Sequence, residues 1–301
     1  MITSFYDESK ILAHILSEKS KGKPFELEIG RLFNLASMDT IGRTALGEEF
    51  NSQNQENHDF QKSYERIAKK KQVELNEKAK TTTTTQKPIS LIEILLASEQ
   101  QISPKEIRDE LITIISAGHE TTAKSNSLII FMLAHHQDVQ KNVYQEINSI
   151  FSAGDFNRSP THDDLQKMEY LERVIKETMR LYPTVPLITR KVENEMMIRK
   201  YVIPTDANIL ICIQCLHLNP KYYKDPEQFN PDNFLPNVCR RRHPFAYIPF
   251  SSGSRNCVGM KYAMLQMKTA ISTLLIIDQL ENSDSYTADL TCSNALHSIK
   301  A

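Results

Sequence analysis

Tryptophan is absent from this 301-residue chain, and glycine occurs only eight times. No run of about 18 apolar residues is present, so no bilayer-spanning helix is expected, and the first residues carry no signal peptide. Neither sign of charge is in excess. Lys and Arg total 36 against 37 Asp and Glu, and a net charge of −1 gives no reason to expect nucleic acid as a partner. Cysteine is too sparse and too irregular for a disulfide scaffold, which suggests a reducing compartment. The five are Cys212, Cys215, Cys239, Cys257 and Cys292. Cys212 and Cys215 form a C-x-x-C inside an apolar run, Ile209 to Ile213, and read as strand packing rather than as a redox or zinc site. What remains, 40% hydrophobic and 24% charged, is ordinary globular composition with enough apolar residues for a sizeable core.

Because glycine is scarce, its clustering is informative. Gly253 and Gly259 flank Cys257 within one seven-residue window, and glycine is used where backbone turns tightly or lets something large approach. Directly afterwards Met260, Ala263, Met264, Met267, Ile271, Leu274 and Leu275 recur at helical steps, so a buried amphipathic helix begins here. Cys257 therefore stands at the mouth of a helix, where the positive end of the dipole suits a thiolate. Arg255 adds a cation for a nearby anionic group. The plain alternative is a structural cysteine ahead of a core helix. The stretch from Phe250 to Gly259 also resembles the proximal loop of the haem-thiolate monooxygenases, the cytochromes P450. That pattern, Phe-x-x-Gly-x-Arg-x-Cys-x-Gly, is met at all five fixed positions: Phe250, Gly253, Arg255, Cys257 and Gly259.

Earlier segments carry further pieces. Ser103-Pro104-Lys105-Glu106 is a capping box with proline at the first helical position, and about thirty proline-free residues follow. Inside them lies Ala117-Gly118-His119-Glu120-Thr121-Thr122. A glycine in mid-helix costs about 1 kcal/mol relative to alanine. It marks either close packing of a neighbouring helix or a local widening beside a ligand. The segment matches the family's Ala/Gly-Gly-x-Asp/Glu-Thr, so the resemblance implies that Ala117 and Gly118 face the haem and that Glu120 and Thr121 relay protons. His119 is expected to face away. The fatty-acid ω-hydroxylase branch, which the chain resembles most, often has Glu where Ala117 stands, so a covalent haem link is not expected. Glu177 and Arg180 share one helical face and match the family's buried Glu-x-x-Arg. Its third member is normally an arginine in a Pro-Glu-Arg-Phe-like turn. This chain has Pro231-Asp232-Asn233-Phe234, so Asn233 brings no charge. Arg190, after Pro183 and Pro186, sits where the family places a propionate ligand. Strands are expected over Leu187–Val192, Met197–Ile203 and Asn208–Leu216, and Arg240-Arg241-Arg242 reads as solvated surface that could also greet an acidic redox partner.

The resemblance implies a mainly α fold (α+β) with small sheets, residues 1–301 forming a single partial cytochrome P450 domain. Residues 49–90 are a shortened, partly disordered insert, and the tail beyond Asp278 holds at most a weak hairpin. The family's Trp-x-x-x-Arg helix, membrane anchor and N-terminal sheet are expected to lie outside this sequence. The implied cofactor is haem b, held by Cys257, with Arg255 and Arg190 on the propionates and Phe250 near the sulfur. The implied partners are NADPH–cytochrome P450 reductase, with cytochrome b5 as an additional donor, and a lipophilic substrate such as a fatty acid, lipid hormone or xenobiotic. The implied location is the cytosolic face of the endoplasmic reticulum membrane. Two rival readings are a haem-thiolate isomerase or dehydratase, against which the Glu120–Thr121 pair argues, and a non-catalytic truncated product.

Overall fold

The computed structural model describes residues 1–20, 28–54, 91, 102–151 and 158–281. Helix α1 spans Ile2–Ser20 and α2 spans Ile29–Ile41. The latter runs into a π-helical turn, Gly42–Leu46, that ends on Gly47 in the left-handed conformation (φ 67°). Helix α3, Pro104–His135, starts as its sequence requires. Ser103 Oγ accepts from the Glu106 amide at 3.3 Å, while the Glu106 carboxylate accepts from the Ser103 amide at 2.8 Å. Helix α4 covers Gln137–Ile150 and α5 covers His162–Lys167. The second capping box, Thr161 with Asp164, opens α5. Burial pushes the Asp164 carboxyl up, but hydrogen bonds from Arg158 and Thr161 prevail and hold it down to about 2. Helix α6, Glu169–Leu181, follows at once.

Two small antiparallel sheets come next. Strand β1 (Leu187–Lys191) pairs with β4 (Asn208–Cys212), placing Arg190 opposite Ile209, and β2 (Met196–Ile198) pairs with β3 (Tyr201–Ile203). The Pro204-Thr205-Asp206 turn has no glycine, and Asp206 itself takes the left-handed conformation at φ 66°. The strand expected over Asn208–Leu216 ends at Cys212, and Ile213–His217 is a short helix, α7. The reason lies across the ladder. Beyond the Leu187–Cys212 pair the neighbour is Pro186, which has no N–H to continue it, and the Pro186 carbonyl instead accepts from the Ile213 amide at 2.8 Å. Cys212 and Cys215 are joined in a disulfide across this turn, which corrects their reading as strand packing. A 3₁₀ turn (Pro231–Phe234), α8 (Pro236–Cys239), another 3₁₀ turn (Pro244–Ala246) and α9 (Met260–Glu281) complete the described chain.

Helix α9 lies at the centre. Its Met267, Ile271 and Leu275 share one core with Leu12 of α1, Leu133 of α3, Val143 of α4 and Ile175 of α6. Each such side chain, fully buried, contributes about 1.5–3 kcal/mol. A second core joins Met38 and Ile41 of α2 to Leu111 and Ile115 of α3. Among the described residues no helix is long and apolar enough to cross a membrane. Most of the expected 49–90 insert, including the Lys/Glu-rich stretch 64–80 and the five threonines, lies outside the described residues, as does the tail after Glu281.

Candidate functional site

The stretch ahead of α9 is built by backbone rather than by regular structure. Ser251 and Gly253 both take positive φ, 62° and 85°, and the Cys257 amide donates to the Phe250 carbonyl at 2.9 Å, closing the loop on itself. Nothing lies within 4 Å of where a Cβ on Gly253 would stand, so it is the dihedral, not crowding, that calls for glycine there. A Cβ on Gly259 would lie 3.8 Å from Cys257 Sγ, an ordinary contact. Cys257 is a free, exposed cysteine. Val258 beside it is 96% exposed, an apolar side chain with no protein cover. Phe250 is half-buried and packs on the main core, anchoring the start of the loop. Arg190 reaches across from β1, its Nη2 donating to Ser251 Oγ at 3.0 Å, while Arg255 is exposed. The structure thus brings Arg190, Phe250, Gly253, Arg255, Cys257 and Gly259 to one loop. An unpaired, accessible thiol is a soft ligand suited to iron, and its loop also carries Arg255 and is bonded by Arg190, cations for anionic substituents. Cys212 and Cys215 are already bonded to each other, and Cys239, though free, makes only a weak contact at 3.9 Å with the Asn233 carbonyl. The residues present fit a haem held by Cys257.

Helix α3 carries the second group. It is α-helical throughout, so of the two readings of Gly118 the local widening is not the one seen. A Cβ at Gly118 would meet Ile41 Cδ1 at 3.1 Å, and the glycine is where α2 packs closely. Thr121 Oγ1 donates to the Ala117 carbonyl at 2.6 Å, and Thr122 Oγ1 to that of Gly118 at 2.6 Å, so both hydroxyls satisfy themselves on the preceding turn. Ala117 and Glu120 are exposed. Glu120 is paired with Lys124 at 2.7 Å, and the hydrogen bond and charge of Lys124 hold its carboxyl below the usual range. His119 is half-buried, and burial lowers its imidazole. The group is tied to α9 through Asn126 Nδ2, which donates to Gln266 Oε1 at 3.1 Å.

The third group is a fully buried lock. Glu177 and Arg180 both have side chains with no exposure, joined by two bonds of 2.8 Å from Arg180 Nε and Nη2. Arg180 also donates to the carbonyls of His217, Pro226 and Gln228. Asn233, uncharged as it is, joins the cluster, its Nδ2 donating to Glu177 Oε1 at 3.0 Å beside the Asn230 amide at 2.9 Å. Sequence reasoning missed two members. His217 is buried, and its Nε2 accepts from the Ile248 amide at 2.9 Å, just before the cysteine loop. Burial lowers its imidazole to about 4. Arg242 was expected to be solvated with Arg240 and Arg241. It is instead half-buried against Tyr223 and Phe234, because those rings offer a face and the Asn233 carbonyl an acceptor. No local signal separates Arg242 from its two neighbours in sequence.

Comparisons with known proteins bear on the family and the fold. The family profile described as Cytochrome P450 matches residues 62–277, more than half the chain. Cytochrome P450 4g15 of Drosophila melanogaster is 43% identical over 63% of this chain and 33% of its own length. Cytochrome P450 4V2 of Homo sapiens is 40% identical over 58% of this chain and 33% of its own length. The chain therefore spans about a third of the length of these curated relatives. A crystal structure of a cytochrome P450 (CYP102L1) superposes with a TM-score of 0.79 at 18% identity, covering 90% of this chain and 66% of that one, which is a likeness of fold. With its cysteine loop, its buried Glu177–Arg180 lock and a profile match across both, the chain belongs to the cytochrome P450 family, whose cofactor is haem.

Proposed function

We propose that this chain is the haem-binding portion of a monooxygenase that hydroxylates a lipophilic substrate, a fatty acid, lipid hormone or xenobiotic. The observation that carries the reading is the free, exposed Cys257 on a loop closed by its own backbone at the head of α9. Haem, when bound, supplies the oxygen chemistry; the protein binds, orients and moves protons. Cys257 is the iron ligand. Arg190 and Arg255 neutralise the propionates, and Phe250 fixes the loop from the core side. Gly253 sets the turn, and Gly259 flanks the sulfur at the start of α9. Ala117 and Gly118 shape the facing stretch of α3, while the Thr121 hydroxyl and the Glu120 carboxylate handle protons. For Glu120 this requires release from Lys124. Glu177, Arg180 and Asn233 are structural. Electrons come from NADPH through NADPH–cytochrome P450 reductase, with cytochrome b5 as an additional donor, and the working site is the cytosolic face of the endoplasmic reticulum membrane.

The reduced carbon-monoxide difference spectrum tests this. The wild-type chain supplied with haem should give the thiolate-type Soret band, and Cys257→Ser should lose it. Cys212→Ser and Cys215→Ser should keep it. A band that survives at 257 and is lost at 212 or 215 would reassign the ligand. Failure of the wild type to take up haem would favour a non-catalytic polypeptide.

A further inference from the structure

Arg242 is the one arginine of its run that turns inward. Its guanidinium carbon lies 4.0 Å from the centroid of the Tyr223 ring and 5.7 Å from that of Phe234, and Nη2 donates to the Asn233 carbonyl at 2.9 Å. Arg180 lies over the same Tyr223 ring at 4.7 Å. Tyr223 is 1% exposed, and its hydroxyl donates to the Ala246 carbonyl at 3.2 Å, in the segment that leads to Cys257. One ring thus serves two guanidiniums, one from the lock and one from the approach to the cysteine loop. Arg242 Nε is buried without a partner among the described residues, so this charge is held in place at a cost. A cation retained under those conditions is fixed by the ring and the carbonyl together.

We propose that Arg242 is a positioning residue for the Cys257 loop, supplying through Tyr223 and the Asn233 carbonyl the cation that position 233 does not bring to the Glu177–Arg180 cluster. Asn233 Nδ2 already stands 3.0 Å from Glu177 Oε1, so a guanidinium introduced at 233 would meet the same carboxylate. The two positions are then alternative sources of one charge, and loss at 242 is repaired by gain at 233.

The test compares Arg242→Ala, Asn233→Arg and the double variant in the full 301-residue chain. Two quantities are read: the urea midpoint of the haem-free protein by circular dichroism, and the fraction of bound haem that absorbs as thiolate-ligated. Arg242→Ala should lower the midpoint and lose thiolate-type absorbance out of proportion to total haem. The double variant should regain most of both. Unchanged values in Arg242→Ala, or a double variant no better than it, would overturn the proposal. If Arg242→Ala accumulates only as insoluble protein, recovery of soluble double variant decides the question in the same way. The spectral arm rests on Cys257 being the iron ligand, whereas the urea arm needs no haem. A wild type without the thiolate band would count against the function proposed above and leave the midpoints to decide the role of Arg242.

Discussion

The carboxylate of Glu177 has no water to fall back on. It accepts from Arg180, from the Asn230 amide and from Asn233, with no exposed side-chain surface. Glu177→Ala would strand the Arg180 guanidinium in the core, at about 3–5 kcal/mol for a broken buried pair. The expected outcome is loss of soluble protein or of haem retention, measured as soluble yield and haem per chain. Normal values for both would contradict the lock. Thr121 poses the opposite case, a residue whose loss should leave stability alone. Its hydroxyl proton is committed to the Ala117 carbonyl, so its oxygen remains an acceptor on a partly exposed face of α3. Thr121→Ala should keep haem content near normal while NADPH use separates from product. The assay is product and peroxide per NADPH, with reductase added. Unchanged coupling would return this stretch of α3 to a purely structural role.

Among the elements, α7 is the shortest helix with a titratable core residue. His217 has a folded value of about 4 against an ordinary 6.5, because burial disfavours the imidazolium. As pH falls below 6.5 the unfolded chain takes the proton first, so stability is fully present above about 6.5 and declines toward 4. The most this one group can contribute across that window is about 3 kcal/mol. His119 and His136 shift in the same direction, so the variant and not the slope alone decides. Urea midpoints at pH 7.5 and pH 5 should differ less in His217→Gln than in the wild type. Much of this level was legible beforehand: the Ser103–Glu106 capping box and the glycine-bounded cysteine loop are local patterns, and local backbone chemistry writes them. What escaped depended on distant neighbours. The end of β4 is set by Pro186 across the ladder, the choice between packing and widening at Gly118 by Ile41 from another helix, and the inward turn of Arg242 by a tyrosine nineteen residues before it.

At the scale of the molecule, charged side chains tie helices together through main-chain atoms. Glu146 of α4 accepts from the amides of Tyr170 and Leu171 at the start of α6. Lys268 of α9 donates to the Leu165 carbonyl at 2.8 Å and to Glu172 at 2.6 Å. Lys268→Met keeps the stem and removes the charge. It should lower the urea midpoint by about 1–3 kcal/mol in stability, since the Leu165 carbonyl loses its partner. An unchanged midpoint would show that water takes over that carbonyl. Arg180 carries the same device furthest, gathering the carbonyls of His217, Pro226 and Gln228 much as a crown ether gathers a cation, though here the cation organises the crown. A guanidinium that reads carbonyls is blind to the side chains attached to them. In a comprehensive substitution scan, the exposed positions from 218 to 228 should therefore accept most replacements that leave the chain path intact, while position 180 accepts almost none. The loop can drift through sequence space while its anchor stands still.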